Sequence, residues 1–368
     1  MTAGTMTEAE GWAFEEAAPD AIDELLERQR RERQQGDGGR PLVRASVANM
    51  VVVTHNRADG QRALAEVEGL GRWAPSRCVA LIAEPPPAHG RRRVRAWARA
   101  VHRHPELVWE EVVVQTNVDP DRLPAVVLPL LLPELPVFTW WAGTPPFDHE
   151  VFGELTSVTD RLIVDSAAFA DPAGDLVRLA HCASALQPAL SDCVWGRLVP
   201  WRELLAAPFG GPPLREAVER IRRLRIDAVE ATAGLELAGW FASRLGWQLD
   251  HAELLDDERT ARYTTPTGAC DVHLAATLGA GTLTAVELEV DCDDGPATVR
   301  VEARPKYLVA AVSAPGQAAS RRRVGSSPDR SQLAAELEQF GRDRIFEESL
   351  AQAATLAEAS SPETAEPG

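Results

Sequence analysis

Apolar, β-branched runs alternate with helix-patterned segments along the first half of this chain, and that alternation restricts its fold more than any other feature. The run "VRASVANMVVVTH" is followed by "GQRALAEVEGLG", which has helical periodicity and stops at glycine. The next run, "SRCVALIAEPPP", reads as a buried strand ended by prolines, so the three form a βαβ unit. The segment 94–102 alternates, with Val94, Ala96, Ala98 and Ala100 opposite Arg95, Trp97 and Arg99. That predicts a half-exposed strand, with an alanine-rich helix as the alternative. "WEEVVVQTN", "LPVFTWWAG" and "DRLIVDSAAF" read as further strands, "PDRLPAVVLPLLLP" as a proline-punctuated helix and "FGELTSVTD" as a short one. The pattern predicts an α/β fold with a mostly parallel sheet and flanking helices, whose ligands or partners meet the carboxyl ends of the strands.

Beyond Gly210-Gly211-Pro212-Pro213 the texture changes. "GLELAGWFASRLGW" reads as a helix with Leu237, Trp240, Phe241 and Leu245 inward, and short alternating strands follow at "CDVHLAATL", "LTAVELEVD", "ATVRVEAR" and "KYLVAAVS". "SQLAAELEQFGRDRIFEESLAQAATLAEA" reads as one long charged helix. The expected organisation is a tail and short amphipathic helix over 1–40, an α/β domain over 41–211, a C-terminal α+β domain with an antiparallel sheet over 212–356, and a disordered tail over 357–368.

The chain carries 55 acidic against 38 basic residues, a formal charge of -17, and so lacks the basic face a nucleic acid requires. Arg91-Arg92-Arg93 and Arg321-Arg322-Arg323 lie beside Pro, Gly or Ser and read as solvated loop ends. The opening "MTAGTMTEAEGWAFEE" has neither the basic nor the apolar region of a secretory signal, and the most apolar stretch, 123–141, is broken by prolines and Glu134. A cytoplasmic, non-membrane protein is expected. Its five cysteines show no metal or disulfide spacing and read mostly as small core residues.

Chemistry is hard to find. No Gly-x-Gly-x-x-Gly or phosphate-loop sequence follows any strand. His102 and His104 lack a third metal ligand, His55 reads as a turn residue capping the next helix, and the adjacent His181 and Cys182 cannot share a helix face. Asp165, with Ser166 beside it, reads first as a helix cap at a strand end. No catalytic residue, metal site or cofactor is therefore assigned. Tryptophan and arginine are the unusual residues. Trp140 and Trp141 end one strand on opposite faces, which predicts that one is exposed or lies under the following loop. In "DCVWGRLVPWRELLAAPF", Pro200 opens a helix with Trp201, Leu204 and Leu205 inward and Arg202 outward, preceded by Trp195 and Arg197. Trp and Arg dominate protein interfaces. The expected binding set is Trp140, Trp141, Arg161, Asp165, Ser166, Trp195, Arg197, Trp201 and Arg202. Two other readings stay open: an enzyme using Asp165, His55 and Arg161 at the strand ends, and a sensor of a sugar phosphate or nucleotide.

From about residue 20 to about 350, the chain resembles the OpcA family of glucose-6-phosphate dehydrogenase assembly proteins. The likeness rests on "WAPSRCVALI", "VFTWWAG" followed by "RLIVDS", "DCVWGRLVPWRELLAAPF" and "LAGWFASRLGW", taken in order. The chain departs at Gly210, where the family pattern has an aspartate. The resemblance implies a non-catalytic factor that binds glucose-6-phosphate dehydrogenase, promotes its oligomeric assembly and raises its activity in the oxidative pentose phosphate pathway. The redox control associated with cyanobacterial members finds no matching cysteine and is not carried over.

Overall fold

The computed structural model describes residues 14–360 except 37–42, 45–47, 55, 71–76, 85–88, 90, 105–106, 213, 256–257, 316–319, 326–331 and 340. The readings made for His55, for residues 73–76, for the side chains of His102, His104, Arg321 and Arg323, and for the tail from 361 fall outside the described residues. The chain divides into two compact units. One holds the residues up to Val164 with Leu186–Ser191 and Leu333–Gly341, and the other holds Asp165–Ala185, Asp192–Gln332 and the segment from Arg342 onward.

The first unit is built on β1 (Glu15–Ala17), α1 (Ile22–Gly36), β2 (Val43–Arg44), β3 (Asn49–Thr54), α2 (Arg57–Gly69), β4 (Arg77–Ala83), β5 (Val94–His104) and β6 (Leu107–Thr116). It continues through α3 (Leu123–Val127), β7 (Val137–Trp141), α4 (Glu150–Ser157), β8 (Arg161–Val164) and β9 (Ala189–Asp192). The sheet runs β1-β5-β6-β4-β3-β7-β8-β9, with β2 on β6. Strands β6, β4, β3, β7 and β8 are mutually parallel, while β5 and β1 extend the edge in antiparallel sense. From β6 to β9 this is the doubly wound 3-2-1-4-5-6 order, whose direction reverses between β3 and β7. Every residue of β3 is buried, because helices cover both faces of a central parallel strand and no polar alternation is needed. That also corrects the tryptophans: Trp140 and Trp141 do point opposite ways, yet both are buried, at 6% and 1% exposure, because neither sheet face is open.

The second unit contains α5 (Pro172–Ala183), α6 (Cys193–Arg197), α7 (Val199–Ala206), β10 (Ile221–Ala228), α8 (Ala231–Leu245), β11 (Gln248–Leu255), β12 (Glu258–Thr265), β13 (Gly268–Ala276), β14 (Leu283–Cys292), β15 (Gly295–Arg304), β16 (Tyr307–Ser313) and β17 (Ser320–Gly325). Its sheet order is β11-β12-β13-β10-β14-β15-β16-β17, antiparallel except where β10 meets β13. Alternation is clear: on β15, Val299 and Val301 are buried while Arg300 and Glu302 turn outward and pair. Helix α8 lies on β10 and β13, and α7 on β15 and β16.

The long terminal helix expected from sequence is two. A short α9 (Gln332–Leu337) precedes α10 (Arg344–Ala359). Gly341 at φ 83° breaks the path, and Asp343 restarts it by accepting the Phe346 N–H at 3.0 Å. Gly239 on α8 faces α10 so closely that a Cβ there would lie 2.2 Å from the Ser349 carbonyl oxygen. The glycine of "LAGWF" is therefore a helix-crossing residue.

Candidate functional site

The segment 192–206 follows its sequence reading. Asp192 caps α6, Pro200 lies in the first turn of α7, and Trp201, Leu204 and Leu205 form the buried side. Trp195 is buried too, and its indole N–H donates to Asp343 Oδ2 at 3.0 Å while its ring meets Phe346 at 5.5 Å. The Arg202 guanidinium sits 3.4 Å from the centroid of the Trp195 ring and donates to the Trp195 carbonyl at 2.8 Å. This arginine–tryptophan contact holds a cation at the edge of the two short helices.

Around this segment the second unit gathers four carboxyls and two guanidinium groups. Arg197, 30% exposed, donates to both Asp165 oxygens at 2.7 and 3.3 Å and lies 3.6 Å from Glu230 Oε2. The adjoining anions hold its pKa above the ordinary arginine value despite partial burial. Asp165 also accepts the Ala167 N–H, so it serves as the cap expected of it. Behind this exposed layer, Asp192 and Glu236 are fully buried. Asp192 Oδ1 accepts from the Ser166 and Val194 N–H groups at 3.1 and 2.8 Å. Burial, then the Asp165 charge, raises its pKa to about 6. Glu236 is pushed well up by burial and by Asp192.

Asp192 Oδ2 and both Glu236 oxygens find no hydrogen-bond donor, yet the two carboxyls interact at hydrogen-bonding range. These facts agree if Glu236 is protonated, because two carboxylates are acceptors only and a shared proton turns one into the donor. A perturbed acid pair can signal catalysis, but both members of this one are sealed from solvent. Its consequence is structural. The pair ties α6 to α8, and Arg197 forms the accessible face of the cluster. Sequence reasoning missed Asp192, Glu230, Glu236 and Asp343. The signal for Glu236 was its isolation as the one charge within "ATAGLELAGWFAS".

In the first unit, the expected set is represented by Trp140, Trp141 and Arg161. Arg161, 2% exposed, bonds to the Ser191 hydroxyl and, at 2.5 Å, to the Gly341 carbonyl. It is a buried clamp. Trp141 rests on Phe152 of α4 at 5.8 Å.

A doubly wound sheet of this order implies a dinucleotide, seated where the first strand meets its helix. The residues do not fit one. Gly60 does occupy the third glycine position of the fingerprint, with a Cβ there only 3.3 Å from Ile82 Cγ1, but the first two positions hold His55 and Arg57. Asn56 takes the Asp59 N–H at 3.0 Å, and Asp59 with its partner Arg62 stands at the helix end. A carboxylate there opposes a diphosphate. Among the described residues, no three His, Cys, Asp or Glu side chains are grouped to hold a metal, and no helix is long and apolar enough to cross a membrane. Cys78, Cys193 and Cys270 are buried, Cys182 and Cys292 partly so, and burial raises the Cys78 thiol and lifts Cys270 to about 12.

Two family models match the chain. Residues 68–181 match the glucose-6-phosphate dehydrogenase subunit N-terminal domain of the OpcA type, and residues 188–350 match the corresponding C-terminal domain. The OxPP cycle protein OpcA of Synechocystis is 39% identical over 129 residues, 34% of this chain and 27% of that one. The OxPP cycle protein OpcA of Synechococcus elongatus is 28% identical over 252 residues, 64% of this chain and 56% of that one. The matched regions thus span about a quarter to just over half of these relatives. Among solved structures, an NAD binding oxidoreductase from Klebsiella pneumoniae overlaps 86% of this chain and 96% of its own at 11% identity, with a TM-score of 0.47. An overlap so loose says nothing about activity. By its two matched domains, in their order, the chain belongs to the OpcA family.

Proposed function

We propose that this chain is a non-catalytic assembly and activation factor of the cytoplasm, which binds glucose-6-phosphate dehydrogenase, promotes its oligomeric active form and supports the oxidative pentose phosphate pathway. Family membership supplies the partner, since both matched domains are described as parts of a glucose-6-phosphate dehydrogenase subunit. The observation that carries the non-catalytic half is the turn after β3, where His55 and Arg57 replace two glycines and Asp59 stands at the helix end. A chain that cannot seat the diphosphate of a hydride carrier has no route to dehydrogenase chemistry of its own.

The contact surface we assign is the face of the second unit bearing Arg197 and Arg202, with Trp195 and Trp201 as its rigid backing. Trp140, Trp141 and Arg161 hold the first unit's sheet ends in place behind its own surface. A binder shifts an enzyme between two states only by its differential affinity. Tenfold activation needs about 1.4 kcal/mol of preference, a small part of what a standard interface provides. The test is the rate of the dehydrogenase from the same organism over a range of glucose 6-phosphate, with and without this chain, beside light scattering of the mixture. A co-eluting complex with raised activity, weakened in Arg197→Ala, is expected. The absence of both a complex and a rate change at micromolar concentrations would overturn the proposal.

A further inference from the structure

The structure points to a second site, independent of the assembly reading. We propose that the polar cleft at the carboxyl ends of β4 and β6 takes a ribonucleotide, holding its ribose hydroxyls on Glu84 and its phosphate on Arg93. The cleft measures about 180 Å³ and is lined by Glu84, Arg93, Arg95, Gln115, Thr116 and Asn117.

Position is the first argument. Strands β4 and β6 are the second and third of the doubly wound order, and open α/β sheets bind ligands outside the carboxyl ends of their strands. Glu84 directly follows β4, where an acid that follows the fingerprint by about 20 residues accepts from ribose hydroxyls. Construction is the second. Gln115 donates to Glu84 Oε1 at 2.6 Å, which fixes the carboxylate and leaves Oε2 outside that bond. The Glu84 N–H donates to the Thr116 carbonyl at 2.9 Å, and the Arg93 N–H donates to Asn117 Oδ1 at 2.7 Å, so both walls are pinned. Arg95 lines the same cleft and is oriented by Glu16 at 2.9 Å.

Size and charge then select the ligand. Clefts for drug-sized ligands run to about 300–1,000 Å³, so this one holds the ribose phosphate of a mononucleotide, with the base outside it, and not a whole dinucleotide. Asp59 at the start of α2 repels phosphate, whereas Arg93, which lines the cleft, offers a cation. The nucleotide therefore lies with its phosphate turned away from the helix, unlike the adenosine half of a bound dinucleotide.

The test is calorimetric titration of the full chain with adenosine 5′-monophosphate, its 2′-deoxy analogue and NAD. We expect the monophosphate to bind below about 1 mM, the deoxy analogue about tenfold more weakly for the lost hydroxyl contact, and NAD no better than the monophosphate. Glu84→Gln should weaken the monophosphate about tenfold, and Glu84 is partly exposed at a strand end, so folding should survive. The deoxy comparison needs no variant. Absence of monophosphate binding, equal affinity for the deoxy analogue, unchanged binding by a folded Glu84→Gln chain, or NAD binding far more tightly than the monophosphate would each overturn the assignment. The titration uses no dehydrogenase, so its outcome is separate from that of the assembly proposal.

Discussion

Gly239→Ala gives the sharpest test of the second unit, because two effects of opposite sign compete at one atom. Within a helix, alanine normally gains about 1 kcal/mol over glycine. Here the new methyl would stand 2.2 Å from the Ser349 carbonyl oxygen, 2.8 Å from the Ala353 nitrogen and 3.1 Å from Ala353 Cβ. Two of those atoms are backbone, so no rotamer change relieves the clash. Ordinary carbon contacts begin at about 3.5 Å, so α8 and α10 would separate by about 1 Å along their shared face. That face includes the Ser243–Ser349 hydroxyl pair at 3.3 Å and the fully buried Phe346 and Leu350. Overpacking of this kind costs about 1–3 kcal/mol, and with no soft neighbour to yield we expect a net loss of about 2 kcal/mol. Gly153 on α4 is the internal control: nothing lies within 4 Å of a Cβ there, so Gly153→Ala should gain about 1 kcal/mol. Urea unfolding followed by circular dichroism reads both. If Gly239→Ala is stabilising to the same degree as Gly153→Ala, the helices do not cross as closely as described and the reasoning fails.

Three further outcomes follow from buried charge and strain. Because burial raises both acids of the Asp192–Glu236 pair, the folded chain binds more protons than the unfolded one, and stability should fall as pH rises from about 4 through the folded Asp192 value of about 6. Glu236→Gln supplies the donor without a proton, so urea midpoints at pH 5 and pH 8 should converge, with the variant ahead of the parent at pH 8 by about 1–3 kcal/mol; parallel pH profiles would refute the shared proton. Arg77→Met should cost about 3–5 kcal/mol by thermal unfolding. It strips the buried Glu110 of contacts at 2.7 and 2.8 Å and leaves it Arg30 at 3.3 Å. Glu134 stands at φ 64°, a left-handed conformation, so Glu134→Gly should raise stability by about 0.5–1 kcal/mol in the same assay, and a loss there would mean its side chain matters more than its backbone.

What the sequence made legible was whatever depends on period. Continuous apolar runs gave β3 and β4, strict alternation gave β5 and β15, and the cap signals at Asp165 and Pro200 were read correctly. The terminal helix failed for a local reason: its charge pattern is unbroken across 337–344, and only the left-handed Gly341 and the Asp343 cap divide it. Strand β12 was missed because "ERTARYTT" exposes every other side chain and offers Ala261, Tyr263 and Thr265 as its buried positions, a weak apolar signal. Exposure of one of Trp140 and Trp141 was misjudged because covering of a sheet face is a tertiary fact, decided for Trp141 by α4 through Phe152.

The buried acids raise the question of why such a pair should persist. A buried ion pair or acid pair seldom adds stability over apolar residues of the same volume. Its virtue is directional. Asp192 Oδ1 accepts from two N–H groups on different segments, those of Ser166 and Val194, and Glu236 can complete the remaining oxygen only from one position on α8. An apolar replacement would fill the space while leaving α6 free to rotate against α8. Arg197, the last residue of α6, would then lose the alignment that lets it span Asp165 and Glu230 at once. The same logic governs Trp195, whose N–H reaches Asp343 and whose ring carries Arg202. Both arginines are thus backed by buried groups, Arg197 by the Asp192–Glu236 pair and Arg202 by Trp195. Under the proposed function, in which the chain prefers one state of its partner, the fixed direction of two cations is worth more than the strength of either contact, since only a rigid surface can discriminate between similar shapes.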